Sequence, residues 1–300
     1  MRPPFPWPGG KAKVAEQILA LFPPARLYLE PFLGGGSLFW NLPTGCYEQI
    51  VLNDINGDLV NLWRCIRDHQ PAMQSAMKWM LHSREEFALR LSEMQRTLPD
   101  IYGCSCGCHG DLERAIAYFY CLKAAQASYP RTPGNFRSGA KEIKSLFNPN
   151  FDLEPYRQQL VGVVIEKLDF EVLMRRYDKP DGFIYLDPPY VELGTKLYDN
   201  SFGNDEHMRL RDVLADMKAL WLLSYNDHPL VRELYTNYPI MEASWSYNMT
   251  AGKTATNVCR DGAELIITNY EPMKAMPIFG CPNASPHDEL PLQDPSEEID

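Results

Sequence analysis

No stretch of the 300-residue chain approaches the roughly eighteen consecutive apolar residues that a membrane-spanning helix needs, which excludes a helical membrane protein. A secretory leader is not expected either. The N-terminus, MRPPFPWPGGK, has Pro and Gly where such a leader carries its apolar segment, so the expected compartment is the cytoplasm. The eight cysteines do not indicate a disulfide framework in a long chain expected in the cytoplasm. Three of them stand in Cys104-Ser105-Cys106-Gly107-Cys108-His109. This run could offer thiolate and imidazole to zinc, but its alternation is tighter than the usual Cys-x2-4-Cys pairing and strains a single tetrahedron. A reduced, Gly-containing loop is the preferred reading, and no metal is expected. There is no internal repeat.

Positive charge is also scarce, with a net charge of −10, but its distribution matters more than its sum. The last twenty residues hold Asp288, Glu289, Asp294, Glu297, Glu298 and Asp300, four prolines and no Lys or Arg; without those acids the net charge is −4. That segment reads as a solvated, disordered tail. By contrast, Arg131, Arg137, Lys141 and Lys144 lie in one Pro/Gly-rich loop with Glu142 as its single acid. A local basic loop can contact phosphates whatever the global sign.

What is present is strand–helix alternation in two blocks. Arg26 to Glu30 and Ile50 to Asn53 read as strands in the first, with a helix starting near Ser37 between them. Gly162 to Glu166, Phe183 to Leu186, Leu220 to Tyr225 and Glu264 to Thr268 read as strands in the second, with a helical stretch over Glu206 to Ala219. This pattern predicts a doubly wound α/β sheet. The middle carries helical spacing over Ala72 to Leu81, Phe87 to Met94 and Leu112 to Ala127, and reads as an insertion into that sheet.

Four short motifs carry chemistry. In YLEPFLGGGSLFW, three glycines follow a strand ending at Glu30, which permits a tight turn and close ligand approach to backbone amides. The spacing is not Gly-x-Gly-x-x-Gly, and no Lys-Ser/Thr follows, so neither the dinucleotide fingerprint nor a phosphate loop is matched. About twenty residues on, VLNDIN places Asp54 where a carboxylate can accept from ribose hydroxyls; the plain alternative is a helix N-cap. Together the glycine turn and the spaced acid favour an adenosine-containing ligand. Near the N-terminus, Trp7 and Gly9-Gly10-Lys11 precede an amphipathic stretch. A lysine at a helix start opposes the dipole, and a carboxylate ligand would give it a use. Finally, Asp187-Pro188-Pro189-Tyr190 leaves a strand through an acid and two residues of fixed φ, which could otherwise be a simple turn.

In this order, Trp-Pro-Gly-Gly-Lys, Glu-Pro-Phe-x-Gly-Gly-Gly-Ser, Asn-Asp-Ile-Asn and Asp-Pro-Pro-Tyr resemble the Dam-type DNA adenine-N6 methyltransferases. Their sequence along the chain is similar to the alpha group, in which target recognition is inserted between the cofactor motifs and the catalytic motif. The resemblance covers most of Arg2 to Tyr270. It implies a Rossmann-like, S-adenosyl-L-methionine-dependent methyltransferase sheet over residues 1–58 and 156–275. It also implies a mainly helical target-recognition insert over 59–155, followed by the acidic tail over 276–300.

The resemblance further assigns roles. Trp7, Gly10 and Lys11 match the motif that closes over the cofactor's methionine end. Glu30, Pro31, Phe32, Gly34, Gly36 and Ser37 match the cofactor loop. Asp54 matches the ribose acid, with Ile55 beside the adenine. In Leu168-Asp169-Phe170, Asp169 matches the acid that meets the adenine amino group and Phe170 the ring that packs on it, although Asp169 would also serve as an N-cap. Arg131, Asn135, Arg137, Lys141 and Lys144 stand in the segment expected to meet double-stranded DNA, and the expected enzyme is a monomer.

Adenine's exocyclic amine is a poor nucleophile because its lone pair is delocalised. The Asp187 carboxylate and the Pro188 carbonyl, with Pro189 fixing the path, would accept its two N–H bonds, and Asp187 would also border the cofactor. Tyr190 would stack on the base once it is flipped from the duplex. The same chemistry would serve adenine in RNA or the cytosine amino group in DNA. A cofactor-binding DNA regulator without catalysis and a metal-binding interaction protein are the readings from other classes.

Overall fold

The computed structural model describes residues 1–94, 111–125, 135–139, 148, 150–191, 202–246 and 261–272. Among the described residues seven strands form one sheet: β1 (Leu27–Glu30), β2 (Gln49–Asn53), β3 (Val164–Glu166), β4 (Gly182–Leu186), β5 (Leu220–Asn226), β6 (Ile240–Ser246) and β7 (Asp261–Thr268). They lie in the order β3-β2-β1-β4-β5-β7-β6. Strands β1 to β5 are mutually parallel, whereas β7 runs antiparallel to both β5 and β6. The chain winds outward from β1 to β3, then returns to the other side of β1 as β4. That reversal opens a crevice at the carboxyl ends of β1 and β4, where ligands of open α/β sheets bind.

Burial follows from the sequence of each strand. β4 reads GFIYL and is buried at every residue, as expected of a parallel strand covered on both faces. One face packs against α1 (Ala15–Leu19), α2 (Gly57–Asp68), α3 (Gln70–Lys78) and α5 (Leu112–Ala124). The other packs against α7 (Phe170–Tyr177), α8 (Asn204–Asp216) and α9 (Pro229–Leu234). Two further helices, α4 (Arg84–Met94) and α6 (Glu154–Gln159), complete the described set.

The N-terminal segment, which carries Trp7 and Lys11, is held by aromatic packing. The Phe5 ring lies 4.9 Å from Trp63 on α2 and 6.0 Å from Phe119 on α5, and Trp63 in turn lies 5.2 Å from Trp40. Such ring pairs contribute about 0.5–1.5 kcal/mol each beyond the area they bury. The segment is thereby fixed along the edge of the crevice although only five of its residues are helical.

Two expectations are corrected. The helix anticipated from Ser37 is a single 3-10 turn, Phe39–Asn41. Pro43 turns Leu42 to an extended conformation (φ −66°, ψ 134°), and the Asn41 side chain takes the Ser37 carbonyl at 2.8 Å. Strand β6 was not anticipated. It pairs with β7 at the sheet edge, where Ile240, Met241 and Ala243 are only half-buried and Glu242 is exposed, so no clean apolar run marks it.

Candidate functional site

The glycine turn after β1 is clamped between two indoles. Gly34 and Gly36 have φ of +50° and +69°, and a Cβ at either would come within 2.5 Å of Trp7 Nε1 or 2.8 Å of Trp40 Nε1 respectively. Trp40 Nε1 also donates to the Gly35 carbonyl at 2.9 Å. Glycine is required here both by handedness and by space. Gly10 approaches the same turn: a Cβ on it would lie 3.3 Å from the Ser37 hydroxyl, and Ser37 itself is buried.

Asp54 follows β2 and faces this turn. One of its carboxylate oxygens accepts from Gly34 N and the other from Asn56 N, each at 2.9 Å. The N-cap of α2 is Asn56, whose side chain accepts from Asp58 N and Leu59 N, so Asp54 is not serving as the cap. Burial raises the Asp54 carboxyl to about 6 against the pull of those two amides. Ile55 beside it is 49% exposed. The preceding Asn53 joins three elements: its amide donates to the carbonyls of Pro31 (2.9 Å) and Leu168 (3.1 Å) and accepts from Leu168 N (2.8 Å).

Leu168 leads into Asp169-Phe170. Asp169 is the N-cap of α7, accepting from Glu171 N at 3.0 Å, and its other oxygen accepts from Arg209 Nη2 at 2.6 Å. The structure therefore gives this acid the capping role and an ion pair. Phe170 is buried, 5.6 Å from the Phe32 ring, and the Arg209 guanidinium lies 4.2 Å from its centroid.

The densest polar cluster lies where β4 ends. Lys11 Nζ donates to both oxygens of Asp187, at 2.8 and 2.9 Å, and to the Tyr190 hydroxyl at 2.6 Å. Glu264, buried on β7, lies 3.4 Å from the same ammonium and accepts the Tyr190 hydroxyl proton. Ser224 on β5 donates to Asp187 Oδ1 at 3.0 Å and lies 3.3 Å from the Tyr185 hydroxyl. The Tyr190 ring is 6.2 Å from that of Tyr225. The carboxylate anticipated for Lys11 is thus found within the protein.

Electrostatics sharpen this picture. Burial pushes Asp187 up, Lys11 opposes it, and the Glu264 charge adds to it. Burial pulls Lys11 down, but Asp187 and Glu264 outweigh it and the ammonium ends raised. Glu30, at the end of β1, is buried and held at about 8. Desolvation dominates there, the 2.8 Å bond from Tyr28 opposes it, and the Asp187 and Asp54 charges push further upward. Glu30, Asp54 and Asp187 thus form one acidic wall with Lys11 at one end. Perturbed carboxyls gathered at the carboxyl ends of parallel strands make a candidate functional site.

Ser224, Glu264, Arg209 and Asn53 were not singled out from the sequence as site residues. Ser224 and Glu264 did carry a signal, each being a polar residue in an otherwise apolar strand.

Of the residues expected to meet DNA, Asn135 and Arg137 are described and half-buried. Phe136 between them bridges to Ala125, and Arg137 N donates to the Ala124 carbonyl at 2.9 Å, so the end of the basic loop is stitched to α5. Arg131, Lys141 and Lys144 lie outside the described residues, as do Cys104 to His109 and the acidic tail.

Over 276 residues the chain is 25% identical to the type II methyltransferase M.CviBI of Paramecium bursaria Chlorella virus NC1A, covering 90% of this chain and 100% of that protein. It is 26% identical to the type II methyltransferase M1.LlaDCHI of Lactococcus lactis subsp. cremoris, covering 90% and 96% of the two chains. A DNA adenine methylase of Vibrio cholerae is 26% identical over 76% of this chain and 83% of its own length. Residues 7–249 match the family model of D12 class N6 adenine-specific DNA methyltransferases, a span holding every site residue above except Glu264, and the chain belongs to that family.

Proposed function

We propose that this enzyme transfers a methyl group from S-adenosylmethionine to N6 of an adenine flipped out of double-stranded DNA, with Asp187 as the group that activates the amine. The supporting observation is the Asp187 carboxylate, 21% exposed and fixed by Lys11 and Ser224 at the carboxyl end of β4, next to Tyr190. In this reading a monomer suffices, with residues 1–58 and 156–275 performing catalysis and 59–155 reading the DNA.

The residues present fit the methyl donor. Its sulfur and amino group are cationic, and the acidic wall of Glu30, Asp54 and Asp187 is a complementary environment. Asp54 retains lone pairs beyond its two amide partners for ribose hydroxyls, and Ile55 offers exposed apolar surface for the adenine ring. Trp7 shields the glycine turn from one side. When bound, S-adenosylmethionine supplies a methyl group activated by a positively charged sulfur.

The protein's own contribution is electrostatic and orientational. Asp187 accepts an N–H bond of adenine N6, which draws the nitrogen lone pair out of the ring; the Pro188 carbonyl is the second acceptor. Lys11 and Ser224 hold the carboxylate in place. The Tyr190 ring receives the base that has left the stack, and its hydroxyl is anchored by Lys11 and Glu264. Expression in a methylation-free host with mapping of modified bases by long-read sequencing tests the reading. N6-methyladenine at one defined motif is expected, and an unmodified genome contradicts it.

Two binding predictions follow from the same residues. Asp54→Ala is expected to weaken S-adenosylmethionine binding by about 1–3 kcal/mol through loss of a hydrogen-bonded charged acceptor. Calorimetry showing unchanged affinity in the folded variant removes Asp54 from the site. Because Glu30 is protonated below its folded value of about 8, a cationic ligand should drive its proton off. Affinity should therefore rise with pH between about 6 and 8, with proton release near neutrality. Calorimetry in buffers of differing ionisation enthalpy reads that release directly, and Glu30→Gln should abolish it; a buffer-independent enthalpy in the wild type contradicts the assignment.

For DNA, the basic loop is proposed to contact phosphates. Arg137→Ala should then lower the log–log salt slope of binding by about 0.9. An unchanged slope and affinity place Arg137 off the DNA.

A further inference from the structure

We infer that Glu264, which lies beyond the span matched by the family, is a positioning residue for methyl transfer, setting Asp187 and Tyr190 through the Lys11 ammonium. The inference rests on the role given to Asp187 above. Its basis is a set of contacts among described residues. Glu264 is 2% exposed, lies 3.4 Å from Lys11 Nζ and accepts the Tyr190 hydroxyl proton. The same ammonium is bonded to Tyr190 and to both oxygens of Asp187. Two carboxylates thus share one cation, and the tyrosine hydroxyl links that cation to Glu264.

The arrangement does two things that Asp187 and Lys11 alone would not. Glu264 draws the ammonium toward β7, so Asp187 is less fully neutralised and keeps more acceptor strength for the amine. Glu264 also accepts the hydrogen bond of the Tyr190 hydroxyl, which leaves the phenolic lone pairs to accept from Lys11 and fixes the direction of the ring. Burying a second carboxylate beside the first is unfavourable for stability alone, since a buried charge is tolerated only when it is paired and hydrogen-bonded. The β5–β7 pairing holds it there: Glu264 faces Asn226 in the antiparallel register, one pair beyond Leu265 and Tyr225.

Glu264→Gln keeps an acceptor for Tyr190 and removes the charge. In single-turnover methylation of DNA carrying the mapped site, the rate is expected to fall 10- to 100-fold. Equilibrium affinities for S-adenosylmethionine and DNA should stay within about twofold, the loss belonging to the transition state alone. The pH profile supplies a readout that a merely structural role would not move. Among the described residues, the titratable groups near Glu264 include Lys11 from the N-terminal segment, Asp187 and Tyr190 from the turn after β4 and Tyr185 on β4, with Glu30 and Ser224 also near Asp187. Removing a negative neighbour eases ionisation of Asp187 and loosens the proton on Lys11, so both limbs of the profile should move to lower pH.

Tyr190→Phe keeps the ring and deletes the bridge. Its combination with Glu264→Gln should cost little more than the larger single effect, whereas additive losses overturn the inference. A folded Glu264→Gln protein with wild-type rate and an unmoved profile also overturns it. Should Glu264→Gln fail to fold, Glu264→Asp takes its place, retaining charge but withdrawing it by one methylene; a wild-type rate there overturns the inference as well. If Asp187→Asn is itself fully active, the underlying reading of Asp187 has failed instead.

Discussion

Replacing Asp187 with Asn is expected to lower single-turnover methylation by roughly 10²–10³, the range for losing one preorganised electrostatic partner of a developing charge. Asparagine preserves shape and can still present a carbonyl oxygen, but it cannot place negative charge opposite the adenine amine. It also loses one of the two carboxylate oxygens bonded to Lys11, at 2.8 and 2.9 Å. Binding of S-adenosylmethionine should fall far less than the rate, because the glycine turn, Glu30 and Asp54 at the ends of β1 and β2 remain in place. Asp187→Ala should be at least as slow. A fluorescent base analogue at the target separates rate from capture: Asp187→Asn should still flip the base, whereas Tyr190→Ala should hold it poorly. Wild-type turnover in Asp187→Asn would reduce Asp187-Pro188-Pro189 to a turn.

Lys11→Met should be the most damaging change to stability in the site. The lysine is 2% exposed, and its removal leaves Asp187 and Glu264 facing each other without their cation. Deleting one partner of a buried ion pair typically costs about 3–5 kcal/mol, because the remaining charge is uncompensated. The loss should shrink as pH falls, since the stranded Asp187, already pushed up by burial, can then take up a proton, and it should be largest above neutrality. Urea denaturation at pH 5.5 and 8 measures both values. Equal and small losses at the two pH values contradict the picture of Lys11 as the cation shared by two acids.

How much of this was legible in the sequence depended on range. The strand ends that carry Glu30, Asp54 and Asp187 were readable because each closes a short apolar run, and a doubly wound α/β sheet followed from their alternation with helices. The start of α2 was legible in Asn53-Asp54-Ile55-Asn56, although the cap is Asn56 and not Asp54. Edge strand β6 escaped because exposure on two sides erases the apolar pattern.

The centre of the site was the least readable part. Lys11 and Asp187 are 176 residues apart, and no periodicity in either stretch couples them. Ser224 and Glu264 interrupt apolar strands, which signals a buried polar task without saying which. Arg209 carries no sign that it pairs with Asp169, because its local partner on α8 is Glu206, three residues earlier, at 2.8 Å.

The most direct measurement uses purified protein with isotopically labelled S-adenosylmethionine and, in parallel, duplex DNA, single-stranded DNA and RNA, followed by digestion to nucleosides and mass spectrometry. Label is expected in N6-methyldeoxyadenosine from duplex DNA, and it should be lost in parallel by Asp187→Asn. Label in N4-methyldeoxycytidine, label from RNA alone, or wild-type labelling by Asp187→Asn would contradict it.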